Sequence, residues 1–210
     1  MSARLFAFVC LSQFALCSSL PGPVAPKKQS LVVFLKGSDA QDQLTLLSMR
    51  EEVQKLLAPI GYSVEFRTKL NGPVSGHLVV TEFKGQCTSG VESFGPERLD
   101  LATTTVQNGH VLPFSQVHCP VVSRLLTSSL ENAPAGLRQS LFGRSLGRIL
   151  AHEFFHILAD ECGHQSEGIA KSHFSARELL SPHFSFEEGA LERMASTVAP
   201  IDAPRHGSSE

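Results

Sequence analysis

His152-Glu153-Phe154-Phe155-His156, followed by Gly163-His164, is the stretch from which the rest of this chain is best read. Two histidines four apart on a helix share one face, so their ring nitrogens can reach a single cation. Glu153, next to the first of them, can touch a water on that cation. The pattern His-Glu-x-x-His therefore points to zinc held beside a carboxylate base. With 9 His in 210 residues, chance supplies roughly 0.03 such matches, so the pattern is read as functional. His152 and His156 are the first two metal ligands and Glu153 the catalytic base.

A catalytic zinc takes three protein ligands and keeps one position open. On a straight helix His164 would lie ~18 Å from His152, too far to share an ion whose ligands sit about 2.1 Å away. The helix must therefore stop and the chain turn back before residue 164. Gly163 is the expected stop, because glycine tolerates the left-handed conformation that closes helices. His164 is the expected third metal ligand, with Asp160, Glu161 and Cys162 as competing donors. Asp160 is also placed to hydrogen-bond the His156 ring from behind, and a Cys162 thiolate would favour a closed, structural site. His173 and His183 read as surface residues, His173 near enough in sequence to line the cleft.

Working outward, Leu31–Leu35 is a short apolar run that reads as a buried strand. Leu46, Leu47, Val53, Leu56 and Leu57 recur at helical spacing between about Asp42 and Pro59, where Pro59 and Gly61 end the helix. Tyr62–Arg67 alternates apolar and polar, as a half-buried strand does, and Leu78–Phe83 is another strand. Leu99–Val106 is threonine-rich and β-prone, and Asn108-Gly109 turns it tightly into Val111–Cys119. Val121–Leu130 is a short helix. Ala135 to about Asp160 is a long one, with Gly143 and Gly147 permitting close packing and Arg138, Arg144 and Arg148 excluding a membrane helix. Phe186–Ser196 is helix-like. The order predicts an α+β fold: one mixed β-sheet covered by helices, with the His152–His156 helix beneath it and Val111–Val117 a candidate edge strand.

A 42% hydrophobic, 18% charged chain of this length suits one globular domain, over 31–200. A net charge of −2 with interspersed signs suggests neither nucleic acid nor an anionic membrane as partner. Residues 1–20 read as a signal peptide: Arg4, then an apolar run from Leu5 to Leu16 too short to span a bilayer, then Cys17, Ser18 and Ser19. A Pro-rich linker at 21–30 follows, and 201–210 reads as a disordered tail. The expected location is secreted or periplasmic, with no membrane span after signal cleavage. In that oxidising setting Cys87, Cys119 and Cys162 allow three single pairs, of which Cys87 with Cys119, each at the end of a strand-like segment, is the one expected, leaving Cys162 over.

These residues make the chain resemble the zincin-type metallopeptidases, and among them the metzincins. The likeness rests on HEFFH at 152–156, the glycine and histidine at 163 and 164, and the strand-helix-strands order before them. It covers roughly 31–180 in layout and matches closely only over 152–164. In HExxHxxGxxH the third histidine follows the first by ten residues, whereas here the interval is twelve and Ala159 stands at the glycine position. No methionine lies in Gly168–Phe174, where the family's methionine turn would fall, and Met194 is far downstream. The resemblance implies a zincin-like fold and a Zn2+-dependent hydrolase of peptide or protein substrates; a monomer is expected apart from it. In it Glu153 is general base and His152, His156 and His164 are ligands. Two alternatives keep the metal: a non-catalytic exported domain with a structural or inactive zinc site, and a hydrolase of a non-peptide amide. Tyr62, the one tyrosine, lies in an early strand and is a poor catalytic helper, which leaves Lys171 as the candidate.

Overall fold

The computed structural model describes residues 29–69, 71–88 and 100–196. The expected signal peptide, residues 21–28 of the linker, Leu99 and the tail lie outside them. The elements are β1 (Gln29–Lys36), α1 (Gln43–Leu57), β2 (Tyr62–Arg67), β3 (His77–Lys84), β4 (Ala102–Gln107), β5 (His110–His118), α2 (Cys119–Leu130), α3 (Ala135–Ala159), α4 (Ala176–Leu180) and α5 (Glu188–Ser196). Local chemistry sets the boundaries. The Asp42 carboxylate accepts the Thr45 N–H at 2.9 Å, capping the start of α1. Gly61, at φ 79°, takes the left-handed turn that leads out of the helical stretch into β2. The short α4 was not foreseen from periodicity; Ser175 and Glu178 cap it reciprocally.

The five strands form one mixed sheet in the order β2-β1-β3-β5-β4, in which only β4 runs antiparallel to its neighbour. Asn108 and Gly109 both have positive φ, 52° and 82°, the geometry of a two-residue hairpin turn. That turn folds β4 back along the outer side of β5. Val111–Val117 is therefore not an edge, contrary to the expectation: β5 lies between β3 and β4, and β4 is the edge strand.

Leu31, Val33 and Leu35 of β1, Val79 and Phe83 of β3 and Val117 of β5 share one core with Met49 and Val53 of α1 and Leu146 and Phe154 of α3. α1 and α3 approach closely because α3 carries glycine where they cross. A Cβ on Gly143 would stand 2.3 Å from the Thr45 carbonyl oxygen, and one on Gly147 2.7 Å from that of Met49. Arg148, one residue on, is fully buried. Its Nε donates to Glu52 Oε1 at 2.7 Å and its Nη1 to the carbonyls of Glu178, Leu179 and Ser181 at 3.1, 2.9 and 2.8 Å. One guanidinium thus ties α1, α3 and the end of α4 together.

Cys87 and Cys119 form the expected disulfide, with Cα atoms 4.5 Å apart and a sequence separation of 32. A loop of that size is stabilised by roughly 3–4 kcal/mol on chain-entropy grounds. Cys162 is free and exposed. Among the described residues no helix is long and apolar enough to cross a membrane.

Candidate metal centre

The last turns of α3 bury His152, Glu153 and His156. The helix ends within a residue of the expected Asp160, but the left-handed turn does not fall at Gly163. It stops at Ala159, and Asp160 takes the left-handed conformation (φ 48°, ψ 46°) with its N–H on the His156 carbonyl. Aspartate is one of the few side chains that tolerate that conformation. Here its carboxylate also accepts the Val111 N–H at 3.0 Å, tying the helix end to the β4–β5 hairpin. Asp160 is therefore not the partner of the His156 ring; the backbone carbonyl of Glu161 is, at 2.7 Å. The chain then doubles back and brings the exposed His164 to the buried pair. One ring nitrogen from each of His152, His156 and His164 lies within 4.8 Å of the others.

Of the competing donors, Asp160, Glu161 and Cys162 are outside that group of three. The Glu161 carboxylate is bound by Arg193 of α5 at 2.6 Å. Cys162 and Glu161 line the cleft nonetheless. His183 is exposed and does not line it. Lys171 is bound to the Glu178 carboxylate, and Tyr62 sits in the strand at the opposite edge of the sheet from β4.

Hydrogen bonding fixes the tautomers of the buried pair. His152 Nδ1 faces the Ile169 carbonyl at 2.7 Å, and His156 Nδ1 faces that of Glu161 at the same distance. A carbonyl oxygen only accepts, so both Nδ1 atoms must donate. Burial pushes His152 down to about 4, with the neighbouring His156 and His164 rings acting the same way and the Ile169 carbonyl opposing. Burial lowers His156 as well. Both rings are neutral at pH 7, so both Nε2 atoms carry lone pairs and no proton, and they face each other at 3.1 Å. Two lone pairs at that separation repel unless a cation lies between them. Tetrahedral ligands about 2.05 Å from zinc are themselves about 3.3 Å apart, so the spacing fits that ion. The Phe174 ring packs edge-on against His152 at 5.2 Å between centroids and holds it from another side.

Glu153 is 4% exposed. Its Oε2 accepts the Thr104 hydroxyl of β4 at 2.6 Å. Burial pushes its carboxyl up to about 7, the Thr104 bond opposing and the Asp100 charge assisting. Glu153 and the three histidines line one cleft of about 670 Å3, walled by β4, the start of β5, α2, α3 and the 161–174 segment. Thr104 was missed from sequence. It belongs to a run of three threonines read only as β-prone, and alternation alone does not say which hydroxyl turns inward. The carbonyls of Ile169 and Glu161 leave no signature in side-chain sequence at all.

The chain matches no protein-family model, no curated protein and no solved structure.

Proposed function

We propose that this chain is an exported zinc-dependent metallopeptidase, zincin-like in its use of a His-Glu-x-x-His helix, with His152, His156 and His164 as ligands and Glu153 as general base. The observation that carries this is the pair of unprotonated Nε2 atoms facing each other at 3.1 Å, with a third imidazole beside them. A metal cation between them relieves that arrangement, and three imidazoles with one open position are a catalytic donor set. Zinc bound there supplies Lewis acidity and a water made acidic enough to attack near neutral pH.

The chain's own residues do the rest. Glu153, pushed up to about 7 by its burial, is suited to take a proton from the attacking water and return it to the leaving amine. Thr104 holds that carboxylate by one oxygen. The carbonyls of Ile169 and Glu161 keep both Nε2 atoms bare and the rings oriented. The Cys87–Cys119 disulfide supports an oxidising, exported setting.

The test is metal content together with hydrolysis. Protein purified from the medium or periplasm should hold one zinc per chain and cleave casein or a fluorogenic peptide library, and a chelator should abolish the cleavage. His164→Ala should weaken zinc by more than about tenfold. A chain that binds no zinc sinks the proposal. One that holds zinc tightly and cleaves no peptide reduces it to the non-catalytic exported domain, or to a hydrolase of another amide.

A further inference from the structure

Resting on the three-histidine metal site of that reading, we infer that Arg193 is a positioning residue for it, and that α5, which carries Arg193, is coupled to metal binding. Two backbone carbonyls aim the buried ligands, that of Ile169 at His152 and that of Glu161 at His156. Both residues are in turn tied to the segment that leads into and forms α5. The Ile169 N–H donates to the Ser185 carbonyl at 3.0 Å. Arg193 Nη1 donates to Glu161 Oε1 at 2.6 Å. The stretch from 185 to 193 thus braces both orienting residues, one through the backbone and one through an ion pair.

The ion pair bears on the turn that delivers the third ligand. Glu161 is tied three times: its N–H to the His156 carbonyl at 3.1 Å, its own carbonyl to His156 Nδ1 at 2.7 Å, and its carboxylate to Arg193. That carboxylate folds back over the turn, so closely that a Cβ on Gly163 would stand 3.0 Å from Oε1. The next residue is His164. Its exposed ring stacks on His152 with centroids 5.3 Å apart and meets His156 edge-on at 4.9 Å. Where that ring stands depends on the course of 160–163, which Glu161 pins. α5 is itself anchored, because Ala190 and Met194, four apart on one face, are buried in the core that holds Phe155 and Leu158 of α3. With its side chains 48% and 30% exposed, the pair contributes little to folding by itself. Its effect falls on ligand geometry, where contacts behind the ligands set metal affinity. Such coupling is reciprocal, so a metal that gains affinity from α5 also steadies α5.

The test titrates cobalt(II), whose visible spectrum reports the metal centre, into the metal-free full-length chain. Arg193→Met should weaken cobalt about tenfold, while the urea stability of the metal-free protein stays close to that of wild type. Glu161→Gln should lose about as much affinity, and the double variant no more than either alone, because the two side chains act through one contact. Arg193→Lys, which keeps the charge, should recover part of the loss. Cobalt should slow amide exchange across 188–196 in the wild type, and do so less in Arg193→Met. Equal cobalt affinity in Arg193→Met and wild type overturns the inference, as does a double variant whose loss is the product of the two single losses, or wild-type exchange in α5 that cobalt leaves unchanged. None of these readouts needs hydrolysis, so a chain that shows the coupling and cleaves no peptide upholds the inference while the peptidase reading falls. A wild type that takes up no cobalt removes the metal site, and both fall.

Discussion

Arg148 and Glu153 lie five residues apart on the same helix, both ionisable and both withdrawn from water, yet the protein treats them in opposite ways. Around Arg148 the fold supplies a carboxylate and three carbonyls, and the Phe184 ring lies 5.7 Å from its guanidinium carbon. Around Glu153 it supplies one neutral hydroxyl, and the carboxyl is displaced upward to about 7. A buried charge answered in this way, with Nη2 left without a partner, holds elements together. One that is left under-compensated at the wall of a cleft stores free energy that a bound ion or substrate can recover. The first half of α3 is scaffold, and its last turns are site.

The largest test of this contrast is Arg148→Met. It leaves the Glu52 carboxylate, which is 5% exposed, to the exposed Lys55 ammonium 3.7 Å away, and frees three carbonyls at the end of α4. The expected loss is about 3 kcal/mol in denaturant unfolding, because breaking a buried pair leaves one charge under-compensated. Adding Glu52→Leu should restore part of it. If Arg148→Met costs less than about 1 kcal/mol, the helix does not divide in this way.

Glu153→Gln should do the reverse, abolishing hydrolysis while zinc stays bound and the fold gains stability. In the metal-free protein the folded carboxyl titrates near 7 against 4.5 unfolded. The folded chain therefore binds more protons between those values, and wild-type stability drains away as pH rises through that window. Glutamine has no such window. The variant should match wild type below about pH 4.5 and exceed it by about 3 kcal/mol near pH 8. His152 acts in the opposite sense, its folded value of about 4 costing stability as pH falls from 6.5, but it is common to both proteins and cancels in the difference. A gap that does not grow with pH removes Glu153 from the under-compensated class.

The scaffold half and the site half were legible to different degrees. The strands Leu31–Leu35, Tyr62–Arg67 and Leu78–Phe83 and both long helices could be read from periodicity, since each buries one face and its apolar spacing records that. So could the pair at 152 and 156, where helix geometry alone brings two rings together. Nothing local showed that β4 would shield β5, because strand order is decided by long-range packing rather than by the hairpin's own residues. The helix stop was assigned to Gly163 on intrinsic preference. Asp160 took it because a tertiary bond to Val111 offsets the cost of its conformation. His164 does return to the pair at 152 and 156, but by a different turn from the one expected. Thr104 and the Ile169 carbonyl stayed hidden because they come from elements remote in sequence.

A smaller change sharpens the site side. Thr104→Val keeps the shape of the side chain and removes the hydroxyl that answers Glu153. That hydrogen bond lowers the carboxyl's pKa, so its loss should move the acid limb of the pH–rate profile upward. Activity near neutral pH should fall about tenfold, at a stability cost of about 1 kcal/mol. An unmoved acid limb means that Thr104 supports the strand and leaves the base alone.

The finest division falls at Asp160, which sits next to the site yet behaves like Arg148, as a tie. Its left-handed backbone costs an aspartate about 1 kcal/mol that glycine does not incur, and its bond to Val111 returns about as much. Asp160→Gly should therefore leave stability within about 0.5 kcal/mol of wild type, whereas Asp160→Ala, which keeps the strain and loses the bond, should cost about 1–2 kcal/mol. Both variants should release the β4–β5 hairpin, seen as faster amide exchange at Val111 with zinc content unchanged. If the two variants lose equal stability, the backbone conformation carries no strain and the side-chain bond alone ends the helix.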